Sequence, residues 1–519
     1  MRRIICFKSL QLLLPVAVLM LSGFAVHAQN SASILTVSPY SRFGIGDFQS
    51  NGGLINTAMA GGGIGMRNDS LIPQYINLQN PAAFTSHGII SYEIGMVSNT
   101  VKLRNATETG TFNRTTLDHF ALAFPVTKWW GLGFGMVPYS QVGYNVSTSD
   151  EPVGIGPVTY KYEGSGGINQ AFLSNAFRPF AGAPRKFLLS AQYDRLRLAK
   201  DTLAIQKKLR GKNALANISV GVNSSWLFGT LSNVRRDVFP DSLNTFNTKI
   251  SKSTTLRDFY LNYGIQYTFR ARKSLNPEYV SMADSTVLSK SWFKGEFVYR
   301  TKSGTDTADL WVKKPGVRIT YGLTFSLPTD VNAYSDLLAA TYKQVGTREN
   351  IRDTIAIYSE IPTRLTLPAM VGFGVSLKKD NKWMLQADWM TQLWKQSAFG
   401  GENLGLKNSM RITGGIQYQP KAMGTGKFFG VTQYRIGARY YKTYLEIKGT
   451  QLTETSGVLS FSFQLPTRPK QFEPVSRGTL SFEYGFRGTT ANQLIREDFI
   501  RVTVGISIND RWFQRYKYQ

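Results

Sequence analysis

Apolar and polar residues alternate strictly in several stretches of this 519-residue chain. From Val317 to Leu327 the odd-numbered positions are apolar, and the even-numbered positions are Arg, Thr, Gly or Ser. Phe259 to Arg270, Leu480 to Arg487 and Ile500 to Ile508 alternate in the same way. Because successive side chains of a β-strand point to opposite faces, each stretch predicts a strand with one apolar and one polar face.

The same pattern along the whole chain predicts fourteen strands. They lie near residues 88–104, 117–126, 129–146, 158–178, 214–229, 256–270, 316–328, 362–378, 382–395, 409–419, 430–446, 456–466, 478–488 and 495–508. An even number of strands in an outer-membrane barrel leaves both chain ends in the periplasm. Trp129, Trp130, Trp383, Trp389 and Trp394 fall at or near strand ends, where a membrane-interface girdle of aromatic residues is expected.

A soluble β-sandwich would also alternate, with its apolar face against a second sheet. Here the strands are near ten residues long, and Tyr, Phe and Val dominate the apolar face. These features favour an all-β fold: a transmembrane antiparallel β-barrel of about 14 strands whose apolar face meets lipid.

The N-terminus predicts export. Arg2, Arg3 and Lys8 precede an apolar stretch, and Val26-His27-Ala28 resembles a cleavage site, so residues 1–28 are expected to be a cleaved signal peptide. No later apolar run is long enough for a transmembrane helix. The single cysteine, Cys6, lies inside the signal, which leaves no thiol for a disulfide or a metal site after cleavage.

The charge pattern adds an expectation about partners. The net charge is +27, and two insertions, residues 183–212 and 271–315, fall on the periplasmic side of the predicted barrel. The first is rich in Arg and Lys, and its Leu189, Tyr193 and Leu196 have helical spacing. The basic residues are either solvated turns or a cationic collar for outer-membrane lipid, lipopolysaccharide or an acidic periplasmic protein. Nucleic acid is not an expected partner of an exported chain.

The stretch from Ser50 to Phe84 is rich in glycine and small residues and precedes the first strand. Gly61, Gly62 and Gly63 make its backbone permissive, and it ends on Asn80-Pro81-Ala82, where the proline restricts the preceding residue. An ordinary turn before the first strand is the simpler interpretation. Together with the strand number, however, the stretch resembles the N-terminal hatch of the FadL-type family of outer-membrane transporters for long-chain fatty acids and other hydrophobic compounds.

The resemblance implies a domain plan and a mechanism. Residues 29–87 would be a hatch inside the lumen, and residues 88–519 would be the barrel. A hydrophobic ligand would enter from outside, shift the hatch and leave into the membrane through a kink in the third strand. Gly133, Gly135 and Pro138 are the candidates for that kink, although a bulge that only shapes the barrel would use the same residues.

Charged residues are predicted on the lumen face of several strands. They are Glu93, Arg270, Arg318, Arg411, Arg435, Arg439, Glu483, Arg487 and Arg501. Interior ion pairs that hold the hatch are expected, because unpaired buried charges are costly. Some of the arginines could instead bind a ligand carboxylate.

Catalysis, metal ions and cofactors are not expected. The exported chain would contain only His87 and His119, and no zinc spacing or paired Ser-His arrangement accompanies them. The predicted function is that of a monomeric channel for passive uptake of hydrophobic small molecules. Two alternatives use the same scaffold: a protein-interaction component of a secretion system, as in PorV-type proteins, or a structural or adhesive barrel with long outer loops at residues 230–255 and 329–361.

Overall fold

The computed structural model describes most of the barrel and part of the chain that precedes it. The described residues are 38–49, 52–68, 75–105, 108–153, 156–183, 190, 192, 198, 202–240, 245–270, 286–293, 296–303, 306–312, 317–346, 348–379, 382–400, 402–421, 428–465 and 476–510. The predicted signal peptide lies outside them. None of the helices among the described residues is long and apolar enough to cross a membrane.

Fourteen antiparallel strands form one closed barrel. They are β1 (Ile90–Arg104), β2 (Thr109–Pro125), β3 (Trp130–Asp150), β4 (Val158–Phe177), β5 (Ile218–Val238), β6 (Asn247–Arg270), β7 (Arg318–Ser326 and Thr329–Val345), β8 (Arg348–Leu367 and Met370–Lys379), β9 (Trp383–Gln392), β10 (Ser409–Tyr418), β11 (Gln433–Ile447), β12 (Thr450–Gln464), β13 (Arg477–Arg487) and β14 (Arg496–Asp510). The last strand closes the ring on the first, in register from Ile90 opposite Asp510 to Arg104 opposite Arg496. The predicted strand number is confirmed.

The two faces of the strands differ as the sequence predicted. On β7, Tyr321 and Leu323 are 41% and 37% exposed, whereas Arg318 and Thr324 are 4% and 0% exposed. Other strands present similarly exposed apolar residues, including Ile436, Tyr484 and Val504. A closed barrel with an outward apolar belt and a buried polar interior is an outer-membrane barrel, because closure pairs the backbone groups that lipid cannot.

Before β1, the chain is built from short elements. They are a 3₁₀ turn (Pro39–Arg42), a two-residue strand (Asp47–Phe48), helix α1 (Leu54–Ala58) and a second 3₁₀ helix (Pro81–Ser86). We call residues 38–49, 52–68 and 75–87 the N-terminal segment. Most of its described residues are buried.

The barrel wall is taller on one side than the sequence predicted. Strands β3 to β8 contain 20 to 30 residues each, whereas a strand that only crosses the bilayer needs about 9–11 residues. Residues 230–238, 247–255 and 329–345 therefore belong to strands, and the expectation of long outer loops at 230–255 and 329–361 was wrong. The β7–β8 hairpin is paired from Thr329 opposite Leu367 to Val345 opposite Arg348, so it extends beyond the belt as paired strands.

Both predicted insertions lie at the end of the barrel where β1 begins and β14 ends. The first contains helix α2 (Thr202–Ala216), which is located after the residues whose spacing suggested a helix; Leu189, Tyr193 and Leu196 lie outside the described side chains. The second contains a separate three-stranded antiparallel sheet, formed by Thr286–Phe293, Glu296–Ser303 and Asp306–Val312.

The remaining elements lie in connections between strands. They are 3₁₀ turns at Trp394–Gln396 and Ala491–Gln493, two-residue strands at Ala398–Phe399 and Glu402–Asn403, and helix α3 (Phe428–Val431). Trp394 is 1% exposed and packs against Phe48 and Tyr444, with ring centroids 4.8 Å from each. Its predicted place in the aromatic girdle was therefore wrong: it belongs to an apolar cluster inside the outer end of the barrel.

Candidate gating site in the barrel lumen

Carboxylates of the barrel wall bind the backbone of the N-terminal segment. Glu93 of β1 accepts hydrogen bonds from the Leu54 N–H at 2.6 Å and from the Ile76 N–H at 3.4 Å. On β9, Asp388 accepts hydrogen bonds from the N–H groups of Gly63 and Ile64. Buried carboxylates are costly without such donors, so these contacts stabilise the carboxylates and hold the segment together.

Amide side chains of the wall bind carbonyl groups of the same segment. Gln266 of β6 donates to the Ile64 and Met66 carbonyls at 3.0 and 3.1 Å. On β9, Gln386 donates to the Met59 carbonyl at 3.2 Å. Strands β1, β6 and β9 lie on different sides of the closed ring, so the described part of the segment lies among the inward-facing side chains.

Two asparagines within the segment fix its fold. The Asn56 amide nitrogen donates to the Gly62 carbonyl and to the Asn77 side-chain oxygen, both at 2.9 Å. Asn77 donates in turn to the carbonyls of Gly63 and Met66 at 2.7 and 2.8 Å. These side chains satisfy backbone groups that no regular secondary structure pairs, and they fix the segment around its small cluster of Ile55, Met59 and Met66.

The three predicted hatch glycines lie within this packed unit. Gly61 has a positive φ of 85°, which favours glycine. A Cβ added at Gly62 would overlap the Gln386 side chain, and one added at Gly63 would overlap the Asn56 amide. Their small size thus allows close packing, and hydrogen bonds fix the backbone that the sequence predicted to be permissive.

Glycines of the barrel wall pack closely against the backbone of the N-terminal segment. A Cβ added at Gly221 of β5 would lie 2.5 Å from the Ala82 nitrogen, and one at Gly437 of β11 would lie 2.9 Å from the Met59 carbonyl carbon. At Gly322 of β7, a Cβ would overlap the Ile64 carbonyl oxygen. At these three positions the wall has no room for a side chain.

The tripeptide Asn80-Pro81-Ala82 lies where the segment meets the wall. Asn80 is 0% exposed, and its side-chain oxygen accepts a hydrogen bond from the Ala82 N–H at 3.0 Å. Its amide nitrogen donates to the Ile64 carbonyl at 3.0 Å and to the carbonyls of Ile265 and Leu323, both at 3.3 Å. Asn80 thus links the 3₁₀ helix that starts at Pro81, the centre of the segment and two strands.

The ladder between β2 and β3 is short. Among the described residues, the two strands pair only from Phe120 opposite Met136 to Pro125 opposite Gly131. Two residues after Met136, at Pro138, β3 changes register against β4. Residues 139–144 are then all buried, and Ser140 and Gln141 pair with Asp47–Phe48 of the N-terminal segment. Strand β3 therefore turns into the lumen at Pro138 and leaves the edge of β2 from residue 109 to 119 without a partner strand on that side.

The other two kink candidates allow close packing, Gly133 against the N-terminal segment and Gly135 against strand β2. A Cβ at Gly133 would overlap the Phe84 ring of the N-terminal segment, and one at Gly135 would overlap the Phe120 carbonyl oxygen. Of the three predicted residues, Pro138 marks the break in the ladder, and the glycines lie within its paired part.

Buried ion pairs occupy the lumen beyond the segment. Arg439 contacts both Glu454, at 2.8 Å, and Glu483. Arg487 contacts Asp47 of the N-terminal segment and Glu497, each at 2.6 Å. Arg435 donates to the polar side chains of Gln417, Gln433 and Ser462.

The other predicted lumen charges are also placed. Arg318 is 4% exposed on the inward face of β7, Arg501 lies 3.4 Å from Glu483, and the side chain of Arg270 lies outside the described part.

His119 lies between Glu93, at 3.0 Å, and Asp118, at 2.7 Å, so it supports the carboxylate that binds the N-terminal segment. Within the described residues, no group of three or more His, Cys, Asp or Glu side chains could hold a metal ion.

Two cavities adjoin this network. One of about 70 Å³ lies at the β2–β3 break and is lined by Val137, Pro138 and Thr116, among others. The second, of about 160 Å³, is lined by Phe48, Tyr139 and Tyr260 of the apolar cluster and by polar residues that include Arg411 and Gln79. Asp47, Gln49, Arg439 and Arg501 border both cavities.

Comparison with known proteins identifies a family. The model of the BamG family matches residues 11–183 and 312–519, well over half of the chain. The chain belongs to the BamG family. No curated protein matches it.

Among solved structures, the barrel is similar to the Pseudomonas putida toluene transporter TodX, with 10% sequence identity, a TM-score of 0.47, and coverage of 90% of this chain and 100% of that one. It is also similar to a Pseudomonas aeruginosa FadL homologue, with 9% identity, a TM-score of 0.46, and coverage of 90% and 99%. The FadL-type likeness predicted from the sequence is confirmed as a resemblance.

Several residues of the site escaped the sequence reasoning. Asn56 and Asn77 stand in an irregular stretch, where hydrogen bonds to distant backbone leave no periodic signal. Gln266, Gln386 and Asp388 occupy lumen-facing positions of strands in which apolar and polar residues alternate. Their polarity alone could not show whether they bind the N-terminal segment or line an open pore. The run of alternating inward glycines was the usable signal, because a small residue on a strand marks close approach of another backbone.

Proposed function

We propose that the protein is an outer-membrane channel for hydrophobic small molecules, with the N-terminal segment as its hatch and an exit through the wall between β2 and β3. The observation that carries the proposal is the ladder break at Pro138, which coincides with a cavity bordered by the N-terminal segment. An unpaired stretch of barrel wall is costly in lipid unless other groups cover it, and here Asp47–Phe48 pairs with the diverted strand.

The path of the solute follows from the lining of the lumen. The outer end holds an apolar cluster that includes Trp394, Tyr139 and Tyr260, and this cluster borders the larger cavity. An apolar solute would leave water there more readily than in a polar pore. Passage from the larger to the smaller cavity requires the segment near Asp47 and Gln49 to move, because these residues border both.

Uptake of a labelled long-chain fatty acid and of toluene, by a host that lacks its own channel for such compounds, tests this function. Pro138→Val restores a backbone donor at the break, so it should extend the β2–β3 ladder and reduce uptake. Pro152→Val, in the turn after β3, is the matched control and should leave uptake unchanged. Equal uptake by Pro138→Val and the parent protein would contradict the lateral exit, and absence of uptake by the parent would contradict the channel.

A second candidate is a protein-interaction component of a larger outer-membrane assembly. The observation that favours it is the outer part of β8, which projects beyond the membrane belt with Ile351, Ile355, Ile357 and Tyr358 between 55% and 67% exposed. Such exposed strands are frequent sites of association. If this candidate is correct, Ile355→Lys with Ile357→Lys should release a defined partner from the protein extracted in mild detergent; a parent protein that runs as a lone barrel would contradict it.

A further inference from the structure

Arg411 of β10 differs from the other arginines at the larger cavity. Arg439 contacts Glu454 and Glu483, and Arg501 lies 3.4 Å from Glu483. In the described part of the chain, Arg411 instead donates to the Gln79 side-chain oxygen at 3.1 Å and to the Met390 sulfur at 3.5 Å, and no carboxylate lies within ion-pair distance of it. A neutral amide and a thioether are weak acceptors for a guanidinium, which prefers a carboxylate.

The carboxylates that border the cavity are already neutralised. Glu454 binds Arg439, and Asp47 binds Arg487 at 2.6 Å. The positive charge of Arg411 therefore faces a cavity in which the other charges are paired. An anion that entered would gain a partner without displacing an existing ion pair.

The size and lining of the cavity define the rest of the ligand. Its volume of about 160 Å³ is close to that of an engineered protein cavity of about 150 Å³ that holds benzene. Aromatic and thioether side chains, among them Phe48, Tyr260 and Met370, share the lining with a larger number of polar and charged residues. A ligand that fills this cavity therefore needs an apolar part together with a polar group that the wall can bind.

We propose that the larger lumen cavity binds small organic acids with an apolar part of about the size of benzene, whose carboxylate Arg411 binds in place of the Gln79 amide oxygen. The proposal deepens the proposed channel function and rests on it for the route by which the acid enters. Gln79 directly precedes Asn80, so the exchange of acceptors removes one contact between the wall and the N-terminal segment next to its main anchor. Ligand binding and hatch release would then share Arg411.

The test is equilibrium binding of benzoate, with toluene as its neutral counterpart, to the full-length protein in detergent. Arg411→Gln removes the cation and should weaken benzoate binding about tenfold or more, because a charge-assisted hydrogen bond is lost. Gln79→Glu, which is nearly isosteric, places a permanent carboxylate against Arg411 and should weaken benzoate binding by competition. Toluene should bind all three proteins alike, and Arg257→Gln, which removes the same charge from an exposed position on β6, should change neither ligand.

Three results would overturn the proposal: no benzoate binding by the parent protein, parent-like benzoate binding by Arg411→Gln, or equal loss of toluene and benzoate in a variant that remains folded. Displacement of benzoate by an equal concentration of inorganic phosphate would also overturn it, because the cavity would then bind anions in general. Toluene uptake by whole cells separates this inference from the channel function. If the parent protein takes up toluene but does not bind benzoate, only the acid site is contradicted. If it binds benzoate through Arg411 but takes up no toluene, only the channel function is contradicted.

Discussion

The carboxylate of Glu93, in the first barrel strand, accepts a hydrogen bond from the backbone N–H of Leu54, at the start of helix α1, at a distance of 2.6 Å. This contact joins the wall to the N-terminal segment at a helix N-terminus, where N–H groups have no partner within the helix. The same carboxylate also binds Ile76 N–H and His119. One side chain thus fixes two parts of the segment against the strand that follows it.

Replacement of Glu93 should loosen the segment. In Glu93→Gln, an amide group must face one of the three donors, so one buried donor loses its acceptor at a cost of about 1–3 kcal/mol. The expected result is a lower midpoint of thermal unfolding. The midpoint is measured from the heat-dependent change in the mobility of the barrel on gels. Glu108→Gln removes the same charge in an exposed turn and is the control. Equal midpoints for the two variants would contradict the anchoring role.

A methyl group at Gly322 should push the segment away from the wall. The added Cβ of Gly322→Ala would overlap the Ile64 carbonyl oxygen, and overpacking of this kind costs about 1–3 kcal/mol. Gly457→Ala on β12 is the matched control, since a Cβ there meets no atom within 4 Å. Proteolysis of the folded protein should cut the segment faster in Gly322→Ala than in Gly457→Ala. The same rate in both would show that the close approach of β7 does not hold the segment.

Asn80 should act through its donor rather than its size. Asn80→Asp keeps an oxygen for the Ala82 N–H but places a second oxygen against the carbonyls of Ile64, Ile265 and Leu323. Repulsion there should release the segment and raise the frequency of open events in planar-bilayer conductance recordings. Asn113→Asp, at an exposed position on β2, should behave as the parent protein. A closed Asn80→Asp channel would argue against a latch at this residue.

Acid should destabilise the protein through His87. Burial lowers the pKa of His87 to about 4, while its backbone hydrogen bond to Phe84 acts weakly in the other direction. The unfolded chain, with a pKa near 6.5, binds the proton first, so stability present at neutral pH is lost as the pH falls from about 6.5 toward 4. Between pH 7 and 5, the parent should lose about 2 kcal/mol more than His87→Gln, measured by denaturant unfolding in detergent. Parallel curves for the two proteins would exclude a buried neutral histidine.

The sequence predicted the barrel because alternation is a local property of each strand. Val317 to Leu327 already carries its apolar face in its odd positions, whatever its neighbours are. The height of the wall was not predictable in this way. Residues 348–361 are exposed on both faces, so they lack the one-sided pattern that marks a strand next to lipid.

The site was only partly predictable for a related reason. Asn80 and Pro138 have intrinsic backbone signatures, and both proved to lie at junctions. The acceptors that hold the segment are determined by contacts across hundreds of residues, such as Asp388 with Ile64, and no local pattern encodes such a pair. Trp394 shows the converse case: an aromatic residue near a strand end was expected in the girdle, but the tertiary fold buries it against Phe48.

A reversible cross-link between the segment and the wall tests the central claim most directly. A Cβ added at Gly415 of β10 would lie 3.2 Å from the Cβ of Met59, slightly inside the Cβ spacing of about 3.5–4.5 Å in a disulfide, and the only natural cysteine is Cys6. In Met59→Cys with Gly415→Cys, uptake of a hydrophobic probe should stop under oxidising conditions and return after reduction, while each single variant transports in both. Unchanged uptake by the fully oxidised double variant would contradict a movable N-terminal hatch.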